Sequence, residues 1–476
     1  MNTFQKIIKN IGTLSISYGI TYILGFFILI YSARYLGVEN FGILSFALAF
    51  TGIFGVFIDI GTSMLTTREL ARDKSLTGKY ISNLITIRII LSVIVFLTIA
   101  LVINLLGYNE TTIDVVYFIA LYNVGLIFSQ LFYAIFQAYQ KMEYQALGNI
   151  LYYVILFLGV LIIIHYQLSL IEFAIIYAIV GLIIIGYTFL MFTKKFFTPK
   201  LKFNFDFFKS IIVIAWPFAI TGISINLYNW IDTILLSIII GQQAVGLYNA
   251  SYKLMLFLIT IPIVINMALF PVMSKFYNSS HKSLKFSFEK LVKILSLISI
   301  PIGFGTLLLA NNIINFIYGY QFIDSVIALQ ILIWSTVIIF IRNPYENLLE
   351  SSNKQSLVSK AFVIGIIFNI IANLLIIPKY SYIGTSIVNV ITDLIIFILL
   401  IYSTSRIDFS ISRNIQISLV KITFASLLMD LIIKCIINLN IFLTILIGII
   451  IYLIIIISLR VLDDTEKQMI RSIFNK

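Results

Sequence analysis

The sequence predicts an all-α polytopic membrane protein of about 14 transmembrane helices, arranged as two six-helix lobes in parallel pseudo-repeat plus two C-terminal helices. Three observations carry this reading. Apolar runs of ~20 residues recur along the whole chain, the length a helix needs to cross the hydrocarbon core. Only 11% of the residues are charged and 61% are hydrophobic, where a soluble domain would show roughly a quarter charged. Finally, Lys and Arg collect in alternate loops.

Taken in order, helices are expected at 11–33, 41–64, 80–106, 114–138, 145–165, 170–192, 210–240, 246–273, 288–314, 324–348, 356–377, 382–403, 415–437 and 441–460. The first stretch, Ile11 to Ala33, is too long for a signal-peptide core and has no small-residue cleavage site, so it reads as a retained helix. Arg68, Arg72, Lys74 and Lys79 follow the second helix, and Lys194, Lys195, Lys200, Lys202 and Lys209 follow the sixth. Lys275, Lys282, Lys285, Lys290 and Lys293 follow the eighth, Lys354 and Lys360 the tenth, and Arg406 and Arg413 the twelfth. The loops after odd-numbered helices carry almost none, with Arg34 and Lys379 the exceptions. The positive-inside rule therefore places both termini in the cytoplasm of a multi-pass plasma-membrane protein. Those loops also account for the net charge of +12, so no nucleic acid is expected as a partner.

The lobes divide as 1–200 (helices one to six) and 201–410 (seven to twelve), leaving 411–476 for helices thirteen and fourteen and a cytoplasmic tail. The largest loops, near 194–209 and 274–287, hold at most a short amphipathic segment, so no soluble catalytic domain is expected. Cys435 is the lone cysteine and no Cys/His grouping has metal-site spacing, which excludes an internal disulfide framework and predicts no metal site.

Internal similarity supports the two lobes. "YLGVENFGILSFA" (35–47) matches "IIGQQAVGLYNAS" (239–251) with both Gly-x4-Gly pairs in register at an offset of 204. "QAYQKMEYQAL" (137–147) matches "ESSNKQSLVSK" (350–360) at an offset of 213, each ahead of a long apolar helix. Helices one to six thus map onto seven to twelve in the same orientation, the pattern of a repeat about an axis along the membrane normal.

"YLGVENFGILSFALAF…FIDIGTSMLTTRELAR" (35–72), "WPFAITGISINLYNWIDTILLSIIIGQQAVGLYNASYKL" (216–254) and "GIIFNIIANLLIIPKYSYIGTSIVNVITD" (365–393) resemble the Wzx-type polysaccharide-export flippases of the multidrug/oligosaccharidyl-lipid/polysaccharide superfamily. The resemblance covers helices one to twelve. It implies a two-lobed, fourteen-helix carrier, working as a monomer, that turns lipid-linked oligosaccharide over by alternating access. Such a carrier is a transporter and not an enzyme. Its substrate is a lipid-linked oligosaccharide, its surroundings are membrane lipid, and glycan assembly enzymes are its expected partners.

Several charges sit inside apolar helices, where a bare ion is costly. Asp232 and Lys253 lie on adjacent helices at similar distances from the turn at 241–245, about 12 Å below the outer end at ~1.5 Å per residue. They read either as a structural ion pair or as parts of a wet cavity, Lys253 meeting substrate phosphate and Asp232 setting its orientation. Helical spacing favours the cavity: Asn226, Asn229, Asp232, Thr233 and Ser237 fall within an arc of ~140°, and Asn249, Tyr252, Lys253 and Thr260 cluster on the next helix. Arg88 either contacts substrate or snorkels to the cytoplasmic edge, and Arg34 either contacts substrate or anchors the outer end of helix one. Asp59 is expected near the inner end of helix two, acting as a cap, paired with a loop base such as Arg68, or coupling charge to transport. Asp393 falls near mid-membrane, to be protonated, paired, or a site for a coupling ion, H+ or Na+. Asp430 and Lys434, four apart, are expected to pair with each other. Arg342, Glu346 and Glu350 mark either a cytoplasmic gate or a solvated face.

A cation-coupled multidrug or small-molecule exporter of the same fold is the alternative, because it would use acidic sites such as Asp59, Asp232 and Asp393. A membrane polymerase or glycosyltransferase would need a substantial outer loop, which the chain lacks. The topology is directly testable: single cysteines in 107–112 and 241–245 should react with an impermeant maleimide from outside intact cells, and labelling only after permeabilisation would overturn the helix count.

Overall fold

The computed structural model describes residues 3–437 and 439–462, apart from the side chains of residues 3–8, 11, 221, 267 and 268. The tail beyond 462, expected to be cytoplasmic, lies outside the described residues. Every regular element among the described residues is helical: α1 (Thr3–Asp59), α2 (Thr62–Arg72), α3 (Thr77–Leu105), α4 (Glu110–Ala138), α5 (Met142–Tyr166), α6 (Leu170–Lys195), α7 (Phe205–Ile239), α8 (Gln242–Ser279), α9 (His281–Tyr318), α10 (Ser325–Ser351), α11 (Gln355–Ser405), α12 (Arg413–Cys435) and α13 (Ile441–Ser458), with two short 3-10 turns.

Among the described residues twelve helical stretches are long and apolar enough to cross a membrane. Two of them, Gly12–Arg72 and Gln355–Ser405, have about twice the length that one crossing needs. Each is interrupted by a non-helical residue, Gly37 in α1 and Ser381 in α11. Each therefore accounts for two crossings, which brings the number to fourteen, in the order read from the sequence. Gly37 has φ 72° and ψ 178°, a region that is essentially closed to residues with a Cβ.

Helix starts follow local capping chemistry. Asn109, Asn204 and Asn440 each accept a backbone N–H of the following turn at 2.9 Å. Asp73, between α2 and α3, accepts from the Ser75 hydroxyl and N–H, which together hold its carboxyl below the ordinary range. Two expected boundaries move. The second crossing breaks at Ile60 (φ 45°) and Gly61 (φ 72°) but resumes as α2 as far as Arg72, so Asp59 lies well inside it rather than near its inner end. The loop expected near 274–287 is helical except for Ser280, whose hydroxyl caps α9 through Ser283 N at 3.2 Å. Lys282, Lys285, Lys290 and Lys293 are thus helix residues, and Lys293 is buried.

By contacts the chain forms two compact units, Met1–Gly246 and Leu247–Lys476. The core of the first gathers Leu65, Ile81, Leu84, Phe132, Phe136, Phe192 and Ile211 from α2, α3, α4, α6 and α7. The core of the second gathers Ile300, Val337, Ile422, Met429, Ile433 and Ile456 from α9, α10, α12 and α13. Outward faces stay apolar, as with Leu97, Leu101 and Leu105 on α3 and Ile450, Ile454 and Ile457 on α13. In lipid such surface gains nothing by burial, so helices hold together through close packing and interhelical hydrogen bonds. Tyr35 donates to Leu168 O at 2.7 Å and Ser17 to Ala146 O at 3.0 Å in the first unit. Tyr318 donates to Ala250 O and Ser251 to Ser325 O, both at 2.8 Å, in the second. Arg68, Lys74, Lys79 and Lys141 each lie 4.8–5.4 Å over an aromatic ring at the edge expected to face the cytoplasm.

The tightest helix approach joins the two Gly-x4-Gly motifs. A Cβ on Gly42 would stand 1.9 Å from the Gln242 carbonyl oxygen, and one on Gly246 would stand 2.0 Å from that of Val38. The offset of 204 relates both partners, Val38 to Gln242 and Gly42 to Gly246. Each motif therefore meets the other through equivalent atoms, as a two-fold axis between them requires. Gly42→Ala and Gly246→Ala should each lower thermal stability by about 1–3 kcal/mol through overpacking against backbone. Gly186→Ala, with nothing within 4 Å of the new methyl, should be close to neutral in the same unfolding scan.

Candidate functional site

The first unit buries a cation. Arg88, on α3, is fully buried and does not snorkel. Its guanidinium donates to the Ile127 carbonyl on α4, to Thr62 Oγ1 at 2.9 Å, to Ser63 Oγ at 2.8 Å, and to Asp59. Asp59 Oδ1 also accepts from Ser63 N at 3.1 Å, so one carboxylate caps α2 and neutralises Arg88. The expected pairing of Asp59 with Arg68 does not form; Arg68 pairs with its neighbour Glu69 at 2.8 Å. The reason is depth. With the second crossing extended to Arg72, Asp59 sits level with Arg88 rather than with the loop.

The second unit buries another. Asp393, on α11, is fully buried, and its Oδ1 accepts from Arg342 Nη1 at 2.7 Å. Ser335 donates to the other oxygen. Arg342 Nε lies 2.9 Å from Glu346 Oε1, an ion-pair contact without hydrogen-bond alignment, and the guanidinium covers the Phe362 ring at 4.9 Å. Ser335 also stands 3.1 Å from Asn389 Oδ1, and Asn389 Nδ2 donates to the Tyr248 hydroxyl at 3.4 Å. A polar chain thus runs through Tyr248, Asn389, Ser335, Asp393, Arg342 and Glu346 across α8, α11 and α10. Asp393 is paired, and Arg342 and Glu346 form no solvated face, which corrects that expectation. Sequence reasoning missed Arg342 as the partner of Asp393 and missed Ser335 and Asn389 altogether.

The α7 stripe is graded in accessibility. Asn226 and Asn229 are half-buried, whereas Asp232, Thr233 and Ser237 are buried in protein. The far end of the stripe is bonded within the first unit: the Ser237 hydroxyl pairs with Tyr108 at 2.7 Å and accepts from Gln242 Nε2 at 3.0 Å. On α8, in the second unit, Asn249 and Tyr252 are buried, Lys253 is half-buried, and Tyr252 stacks on Tyr248 at 5.5 Å. Arg34 is exposed, three residues before the Gly37 break. Among the described residues Asp430 and Lys434 form no ion pair, and Asp430 Oδ1 is buried without a hydrogen-bond partner; their spacing of four allows a pair but does not impose one.

The second unit also holds an apolar cavity of about 490 Å³ between α8, α9, α12 and α13, lined mostly by apolar residues such as Leu258, Leu309, Met429 and Ile449. Such a slot suits a hydrocarbon chain and offers a polar group almost nothing.

Fourteen apolar helices built on a two-fold repeat, with ion pairs buried at depth and no extramembrane domain among the described residues, define a polytopic membrane transport fold. The chain belongs to the polysaccharide biosynthesis protein family, whose profile matches residues 7–277, and with it to the multidrug/oligosaccharidyl-lipid/polysaccharide superfamily. The MatE profile matches residues 217–375. The capsular polysaccharide biosynthesis protein CapF of Staphylococcus aureus is 23% identical over 416 residues, 84% of this chain and 100% of that protein. The probable flippase AglR of Haloferax volcanii is 25% identical over 170 residues, so the match spans 35% of each chain. Among solved structures, lipid II flippase MurJ in an inward closed conformation superposes with a TM-score of 0.76 at 19% identity, over 93% of this chain and 97% of that one.

Removing one partner of a buried pair strands the other's charge. Arg342→Ala should therefore cost about 3–5 kcal/mol of stability, whereas Arg342→Leu combined with Asp393→Leu should recover most of it. Denaturation of the purified variants in detergent would check both, and equal losses in single and double variants would contradict the pairing.

Proposed function

We propose that this protein is a flippase that moves a polyprenyl-(di)phosphate-linked oligosaccharide from the cytoplasmic to the outer leaflet by alternating access, for surface polysaccharide or glycan assembly. The observation that carries this reading is the family match over residues 7–277, supported by CapF, a relative named for capsular polysaccharide biosynthesis and aligned along 100% of its length. The chemistry agrees with it. Lys253 is a half-buried cation for phosphate, Asn226 and Asn229 are half-buried amides for sugar, and the apolar cavity beside α12 and α13 suits the lipid tail. The protein would work as a monomer in the plasma membrane, with both termini cytoplasmic, between the enzymes that build and those that polymerise or attach the glycan. A second reading, a cation-coupled small-molecule exporter, draws on the MatE match, which includes Asp232; that match is the shorter of the two.

The test is transport of fluorescent lipid-linked oligosaccharide in proteoliposomes. Lys253→Ala should abolish flipping while the protein still folds, and Lys253→Arg should retain part of it, since one cation at that depth meets phosphate with either donor geometry. Uptake of cationic dyes without glycolipid movement would favour the exporter. Coupling is a separate question. An H+ or Na+ bound at Asp393 would have to displace Arg342, and it drives transport only if one conformational state binds it better. Asp393→Asn leaves Arg342 beside Glu346 and should make flipping indifferent to an imposed gradient. A gradient response equal to the parent's would leave Asp393 a structural residue.

A further inference from the structure

Apart from the charged groups, the first unit contains a cavity of about 470 Å³ between the first arm of α1 (residues 3–36), α4 and α5, with Ile184 of α6 at its edge. That volume lies within the roughly 300–1,000 Å³ of small-molecule sites. No charged residue lines it, and six tyrosines do. Tyr122 and Tyr152 stack at 6.2 Å with their hydroxyls 2.5 Å apart, and Tyr153 stands edge-on to Tyr152 at 4.7 Å. Gln145, which lines the cavity, uses its carbonyl to accept from Gln137 at 3.0 Å, and its own amide N–H groups donate to no described residue. The polar groups of Asn149, Tyr133 and Tyr153 have no hydrogen-bond partner among the described residues. The cavity also depends on a missing side chain: a Cβ on Gly148 would come within 2.2 Å of the Tyr133 hydroxyl and push that ring aside.

Rings with open faces, amides with unused donors and the absence of charge match one ligand chemistry. An acyl chain would strand the amide and hydroxyl groups, in contrast to the aliphatic slot between α8, α9, α12 and α13. An ionic ligand would meet no counter-charge. A pyranose offers C–H faces for tyrosine rings and hydroxyls for the amides. Asn149 and Tyr153 lie 7 and 11 residues into α5 from Met142, or ~10–17 Å at 1.5 Å per residue, from the end that the charge pattern puts in the cytoplasm. We propose that this cavity is a binding subsite for uncharged sugar residues, with Tyr133, Asn149, Tyr152 and Tyr153 as its contacts. The inference rests on the flippase reading, and it adds that the glycan is held within the first unit, at a site with no charged side chain in its lining.

The test uses photocrosslinking in cells that make the protein naturally. The variants are Tyr153→p-benzoylphenylalanine, Asn229→p-benzoylphenylalanine on the α7 stripe, and Leu158→p-benzoylphenylalanine on an exposed apolar face of α5. After irradiation, the purified protein is treated with periodate and biotin hydrazide, which report vicinal diols whichever sugar carries them. Position 158 gives the background from diol-bearing lipids. Signal at 153 should exceed that at 158 about tenfold. It should fall about tenfold when Asn149→Ala or Tyr152→Ala is added, the change that losing ~1.4 kcal/mol of ring or amide contact produces. Signal at 229 without signal at 153 would overturn the subsite and leave the flippase reading standing. Signal at neither position would remove both. An adduct at 153 with the mass of an acyl chain would reassign the cavity to lipid.

Discussion

A guanidinium held at mid-membrane must find its counter-charge inside the protein, because hydrocarbon supplies neither water nor ions. Arg88 and Arg342 both do so within their own unit, and much of the local architecture follows from it. Arg88 fastens α3 to α4 through the Ile127 carbonyl and to the break between α1 and α2 through Asp59, Thr62 and Ser63. That break needs two successive residues of positive φ, one of them a β-branched isoleucine, and the bonds around Asp59 oppose its strain. Arg342 does the same work between α10 and α11, with Ser335 and Asn389 extending the network to α8.

The fold was legible because a membrane helix announces itself by length and apolarity, and because Lys and Arg collect in alternate connections between such helices. The two Gly-x4-Gly motifs were legible as a repeat, and at Gly42 and Gly246 these motifs touch. What could not be read was the pairing of charges. Asp59 looked like a residue of a helix end only because the apolar run fades at Gly61–Ser63, whereas the backbone resumes as α2. Arg342 and Asp393 were within reach of the depth argument already applied to Asp232 and Lys253. They lie 9 and 12 residues before Ser351 and Ser405, about 14 and 18 Å from those ends at 1.5 Å per residue, a gap that an arginine side chain spans. Spacing of four in Arg342–Glu346–Glu350 drew attention along one helix and away from its neighbour.

On the proposed function, the two described cavities divide the chemistry of a glycolipid between the units. One is aliphatic and lies among the helices that have no repeat partner; the other is aromatic and amide-lined, inside the first unit. Neither is lined by a charged residue. A carrier arranged in this way reads the tail, the phosphate and the sugar with different parts of its sequence. Change in one specificity then need not disturb the others.

The contact between Gly42 and Gly246 differs in kind from ordinary helix packing. Where side chains interdigitate, helices can creep past one another through many intermediate packings, each rotamer change absorbing a little displacement. Here main chain lies directly on main chain, with no rotamer to adjust. The distance between the two helices is therefore set by backbone atoms alone, and it holds only while both positions lack a Cβ.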